Sequence, residues 1–294
     1  MRSPLLNALL SKAAPETLYH YTNQTGFLGI IRSRQMWLTH TQYLNDRREF
    51  SHAVDLAKEE VESRLSAEPT TSNKEILLAM KKALEPNVAT INVCVCSFSK
   101  ASDSLSQWRA YSHPSGFAIG FPSNFLREIA QNGLFYFAPC IYDQQEQRQI
   151  IRAIVDEAVE DVLNPQSESS ESEFGDYLER RGSLVSYLHR YAPLLKHESF
   201  KEEEEWRIIS PPLFNHIDGY DFREGRSLII PYYKLRLKDS SDEFRISDVL
   251  VGPTLDEERS VNSTINFLMH EEIIKVFPPR PAPVRSSRVP YRDW

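Results

Sequence analysis

The feature that most constrains this chain is residues 91–98, Ile-Asn-Val-Cys-Val-Cys-Ser-Phe, which read as its clearest strand. The stretch is rich in β-branched residues. Period 2 puts Ile91, Val93, Val95 and Ser97 on one face and Asn92, Cys94, Cys96 and Phe98 on the other. Further strands are expected at 18–22, 36–39, 116–121 and 134–142. Four more bunch late, at 203–210, 227–231, 233–237 and 246–251, and 273–277 is a last one. Helices are expected at 4–14, after a cap at Asn23 or Thr25, at 45–65, 74–84, after Ser102 or Asp103, and at 144–163, 177–197 and 256–270. Strands separated irregularly by helices favour an α+β fold over a regular doubly wound α/β sheet. Residues 1–294 read as a single α+β domain. Residues 143–198 form a helical insertion within it, and their spacer 164–175, rich in Ser and Glu, reads as a solvated loop.

At 294 residues the chain can bury a full core, and 41% hydrophobic and 11% aromatic content excludes wholesale disorder. The net charge of −7 argues against non-specific affinity for nucleic acid or anionic lipid. Three cysteines, Cys94, Cys96 and Cys140, make an odd count with no disulfide framework, so a reducing, cytoplasmic location is expected. No apolar run approaches the ~20 residues of a membrane helix, so no membrane partner is expected. The 10 glycines show neither GxGxxG nor GxxxxGKS/T spacing, which removes ordinary Rossmann and P-loop chemistry. No HExxH or GxSxG occurs, and Cys94-x-Cys96 reads as core, so no metal is expected.

Three constellations could carry chemistry. On the first strand, Leu18, His20 and Thr22 share a face, with Tyr19 and Tyr21 opposite. His20 and Thr22 either hold a ligand's hydroxyl or amide, or are structural. The acidic stretch Glu202-Glu203-Glu204-Glu205-Trp206-Arg207 is read as part of a strand, with Glu203, Glu205 and Arg207 on the face opposite Trp206. Four consecutive acids are unusual in a strand. They are either a solvated junction or a site in which Arg207 keeps one carboxylate ionised while the other's pKa rises. The third is Ser106–Tyr111, where Trp108 and Arg109 either stack on an aromatic ligand or pack.

These residues carry a resemblance. Leu18-Tyr19-His20-Tyr21-Thr22, Met36-Trp37-Leu38-Thr39, Leu44-Asn45-Asp46, Cys96-Ser97-Phe98-Ser99 and Gln107-Trp108-Arg109-Ala110-Tyr111 begin it. Residues 116–121, 200–207, 249–253 and 287–292 continue it. Nearly end to end, the chain resembles the bacterial domain-of-unknown-function family DUF 2971. More distantly, a strand His-x-Thr and a late Glu-x-Glu resemble the NAD-dependent ADP-ribosyltransferases. That resemblance implies a mixed, mostly antiparallel central sheet flanked by helices, with NAD as substrate. It implies that His20 and Thr22 hold NAD, with Arg207 beside them, and that Glu205 and Glu203 are the catalytic pair. The nicotinamide-stacking ring is left open among Trp37, Tyr43 and Trp108, with Arg109 as a further cofactor contact. The acceptor would be nucleic acid or protein, and the setting a toxin or phage-defence effector. Two other readings stand beside it: a non-catalytic binding or sensor module, and a hydrolase using Glu203 and Glu205 with an inverting-type separation.

Overall fold

The computed structural model describes residues 3–44, 49–67, 70–85, 92–111, 116–164, 183–274 and 283–290, with the backbone alone for Glu49, Phe50 and Ser183. The elements are α1 (Pro4–Leu10), β1 (Thr17–Asn23), α2 (Gln24–Ser33), β2 (Gln35–His40), α3 (Glu49–Ser66), α4 (Thr71–Ala83) and β3 (Cys94–Ser99). Next come α5 (Leu105–Tyr111), β4 (Gly116–Pro122), α6 (Ser123–Asn132), β5 (Tyr136–Pro139), α7 (Gln144–Leu163), α8 (Ser183–Tyr191) and β6 (Glu205–Ile209). The last are β7 (Tyr220–Glu224), β8 (Ile229–Arg236), β9 (Asp248–Val251), α9 (Glu257–His270) and β10 (Val284–Ser286). The predicted Asn45 cap, Ile91, most of the 164–175 spacer, residues 177–182 and the end of the 273–277 strand lie outside the described residues.

The ten strands among the described residues join one sheet whose path runs β10-β9-β4-β1-β3-β2-β8-β7, with β6 branching from β3 and β5 pairing with β6. Only β9–β10 is parallel among these pairings, so the expected mixed, mostly antiparallel sheet is what the chain forms. Alternation then sorts side chains into two cores. Cys96, Phe98, Phe137 and Ile208 pack with Phe27 and Ile31 of α2, Phe125 of α6 and Leu268 of α9. Their neighbours Val95, Ala138 and Ile209 point the other way, against Val61 of α3, Ile154 of α7 and Leu188 of α8. The helices of the predicted insertion are therefore part of the layer covering this second face.

Local chemistry explains the element ends. Asn23 caps α2, its side chain accepting from Gly26 N at 2.8 Å. Asp143 caps α7 in the same way through Glu146 N. Three expectations needed correction. The acidic stretch is not strand throughout: residues 198–203 form a 3₁₀ turn and Glu204 takes φ 42°, so the strand starts only at Glu205. Stacked like charges disfavour the longer strand, and the left-handed residue ends the turn. The predicted strands 227–231 and 233–237 are one strand, β8. Pro231 is tolerated inside it opposite Phe222 on β7, a partner strand that its polar composition (Tyr-Asp-Phe-Arg-Glu) conceals. Ile273 and Ile274 are not strand, and β10 instead comes from Val284–Ser286 after the proline-rich segment.

Candidate functional site

Strand β3 forks the sheet. Along one edge it pairs with β6 from Val95 to Ser99. Its other edge is shared: Cys94 and Val95 pair with β2, and Ser99 pairs with Tyr19 of β1. β1 and β2 thus diverge beside residues 96–98, and the candidate site lies at this crossing.

Paired residues share a face, so register decides which side chains can meet. Tyr19 is opposite Ser99, and Ser99 is opposite Glu205, while Ser97 is opposite Arg207. Tyr19, Ser97, Ser99, Glu205 and Arg207 therefore face the α5 and α8 side. His20 leans toward the other side, its ring 5.9 Å from that of Phe98 and its Nδ1 3.7 Å from Cys96 Sγ. In the fork, His20 Nδ1 hydrogen-bonds the Ser97 carbonyl at 3.0 Å. Burial lowers the imidazole pKa against the opposing pull of that carbonyl, which favours the neutral ring.

The acidic pair is anchored from a residue the sequence reading passed over. Lys196, 4% exposed, places its Nζ on the carboxylates of both Glu203 and Glu205. Arg207 grips Glu205 with Nε at 2.7 Å from Oε1 and Nη2 at 3.1 Å from Oε2, and donates Nη1 to the Pro193 carbonyl at 2.6 Å. Burial alone would raise the Glu205 pKa, but Arg207 and Lys196 outweigh it and bring the group down to about 2. Burial would likewise lower Lys196; Glu205 and Glu203 reverse that and raise it. Glu203 goes the other way from its neighbour, because burial outweighs the pull of Lys196 and raises its pKa. Its Oε2 meets Lys196, while Oε1 accepts no hydrogen bond among the described residues. The only sign of Lys196 in the sequence is one lysine closing the apolar run Ala192-Pro193-Leu194-Leu195.

A cavity of about 60 Å³ opens above this cluster, with Tyr19 and His20 on one side, Gln107 and Tyr111 of α5 on another, and Glu203 and Glu205 at its floor. At ~10–15 Å³ per water it holds a few waters, far below the ~300–1,000 Å³ of a drug-sized pocket. Tyr111 lines this cavity with Tyr19, Tyr21 and Phe98, and Tyr142 Oη accepts from Glu205 N at 3.0 Å. Burial and then the charges of Glu203 and Glu205 raise the Tyr111 phenol pKa.

The remaining candidates lie elsewhere. Thr22 packs against the first turn of α2, where a Cβ at Gly26 would collide with its hydroxyl. Trp37 is 49% exposed on β2 and sits over Tyr232, 4.4 Å between ring centroids. Tyr43 meets His40 edge-on. Trp108 is buried against Tyr21, and its Nε1 donates to Asp103 at 2.7 Å. Arg109 is exposed and does not line the cavity. Both carboxylates end on one ammonium. Their facing oxygens are therefore closer than the ~6.5–9.5 Å that an inverting hydrolase keeps for its water.

With the geometry in place, comparison with known proteins adds one match. Residues 107–208 match the model of a family described as a protein of unknown function, DUF2971. The matched segment starts at Gln107 on α5 and ends at Ile208 on β6, so it contains Tyr111, Lys196, Glu203, Glu205 and Arg207, and leaves out β1. No curated protein and no solved structure matches the chain. Among the described residues no group of His, Cys, Asp or Glu is arranged to hold a metal ion, and no helix is long and apolar enough to cross a membrane. All three cysteines are buried and unpaired with one another.

Proposed function

We propose that the chain is an enzyme that transfers ADP-ribose from NAD to a macromolecular acceptor, with Glu203 as its reacting carboxylate. The observation that supports this reading is the contrast within the acidic pair. Glu205 has both oxygens held by Arg207 and Lys196, whereas Glu203 is held by Lys196 through Oε2 alone and lines the cavity together with Tyr111. Environments that push two neighbouring carboxyls apart in pKa separate a permanent anion from a group able to exchange a proton.

In this reading the C1′–N bond of the nicotinamide riboside breaks and its electron pair leaves with nicotinamide. The ribose is left as an oxocarbenium ion, and the fixed negative charge below it lowers the cost of that charge. A hydroxyl, amine or base nitrogen of the acceptor, nucleic acid or protein, then attacks C1′ and gives its proton to Glu203. Tyr111 is the ring placed to stack on nicotinamide, and Lys196 and Arg207 hold the carboxylates without touching the substrate.

The small cavity favours one rival, a non-catalytic module that binds only the end of a ligand. Labelled NAD separates the two readings. The transferase releases nicotinamide and labels an acceptor in cell lysate, and Glu203→Gln abolishes both while NAD still binds. If the wild-type chain neither binds NAD in calorimetry nor releases nicotinamide, the transferase reading fails.

A further inference from the structure

The sheet ends at β7. Among the described residues no strand pairs with its outer edge. Its central residue Phe222 is 54% exposed, and Ile229, opposite Glu224 at the end of the strand, is 68% exposed. Its backbone is aligned for a further strand. Lys234 N donates to Gly219 O and Gly225 N to Leu228 O, so by alternation the groups of Tyr220, Phe222 and Glu224 lie on the outer edge, where Tyr220 N already donates to Ile217 O at 3.2 Å. Pro231 agrees with this, because it sits opposite Phe222, where no N–H is called for. The outward N–H of Phe222 is held by the Asp221 side chain at 2.8 Å.

We propose that β7 pairs with β7 of a second copy of this chain, antiparallel about a two-fold axis through Phe222, and continues the sheet across a homodimer. The partner is named by charge. In this register Tyr220-Asp221-Phe222-Arg223-Glu224 places Asp221 opposite Arg223 of the other copy twice, and Phe222 opposite Phe222. Centring the axis one residue earlier would oppose Asp221 to Asp221, and one residue later Arg223 to Arg223. Charges on an edge strand ordinarily deter pairing with strangers. Here their alternation repels other registers and attracts the strand's own copy. Arg223 supplies an independent sign: its Nε is buried with no hydrogen-bond partner among the described residues, and its Nη2 reaches only Thr39 Oγ1, at 3.3 Å. Asp221 lies on the same face of β7, 44% exposed at its side chain and held by Lys234 and Tyr232. An isologous interface makes the unmet Arg223 group count twice.

The contact is short, so dissociation is expected in the range of about 1–100 μM. Sedimentation velocity on the full chain over that range tests it. The wild type shows a monomer–dimer equilibrium. Asp221→Arg and Arg223→Asp are each monomeric, weakened at least tenfold, because each now faces its own charge. Mixing the two variants restores a dimer, since their edges have become complementary. A wild type that stays monomeric overturns the proposal, as do single variants that dimerise like wild type or folded variants that fail to pair when mixed. If a charge variant does not fold, Phe222→Lys at the exposed ring decides: loss of the dimer supports the pairing, and an unchanged dimer overturns it.

Discussion

Arg207 holds Glu205 from two residues away on the same strand face, spanning both carboxylate oxygens at 2.7 and 3.1 Å while both side chains are at most 4% exposed. Two full charges sit inside the protein only because each completes the other, with Lys196 closing the third side. Removing one partner leaves the other uncompensated. Arg207→Met should therefore lower unfolding stability by about 3–5 kcal/mol, read as a fall in the urea midpoint at unchanged slope. A loss near zero would mean that water reaches the cluster and screens its charges.

Acid should act through the same carboxylate. Glu205 has a folded-state pKa near 2 against an ordinary value of 4.5, so between those values the unfolded chain binds more protons than the folded one. Its contribution is complete above the ordinary value and is lost as pH falls toward 2. Glu203, raised, has the opposite sign: its contribution is complete below the ordinary value and declines as pH rises through its folded pKa. Thermal melts of wild type and Glu205→Gln from pH 5 down to pH 2, a window set by the shift of Glu205, should differ in slope, with the variant's melting point falling less. Parallel slopes would remove Glu205 as a source of acid sensitivity.

The two glutamates should separate on mutation. Glu203→Gln keeps a neutral acceptor for Lys196 and should change stability by less than about 1 kcal/mol. It should also reduce nicotinamide release by roughly 100- to 1,000-fold. Glu205→Gln should instead lower stability and activity together, because it unsettles Arg207 and Lys196. A Glu203→Gln enzyme with full turnover would show that the open carboxylate is not the reacting group.

Asp103 ties the cavity's helical wall to the end of the chain. It accepts from Trp108 Nε1 on α5, from Ser287 Oγ and from the Arg288 backbone N–H. Asp103→Ala should cost about 2–4 kcal/mol, since three donors lose a charged acceptor. It should also speed amide exchange at Arg288 and Val289 relative to the core strands. Unchanged exchange at Arg288 would mean that the tail is held by its β9 contacts and not by Asp103.

Much of the fold was legible in the chain because it rests on local pattern. Residues 91–98 announced a strand, the apolar spacing after Asn23 announced α2, and the alternation of Glu205, Trp206, Arg207 and Ile208 put the charges and the apolar side chains on opposite faces. Where the pattern was weak the reading failed. β7 is five residues long, three of them charged, and only partly buried, so its strand pattern is too short and too polar to stand out. The acidic run was carried two residues too far because periodicity contains no signal for a left-handed residue such as Glu204.

Sequence alone determined that Glu205 and Arg207 lie on one strand face, since two residues in an extended chain always point the same way. Which residues they meet was a matter of tertiary structure. Pairing register turned the His20 ring toward Phe98 and onto the Ser97 carbonyl, at the margin of the cavity that Glu205 also lines, and the chain's path brought Lys196, in the apolar turn after α8, onto both carboxylates. His20 meets a strand tens of residues away, and Lys196 reaches the glutamates across a turn only 7 and 9 residues long; no strand or helix periodicity encodes either contact.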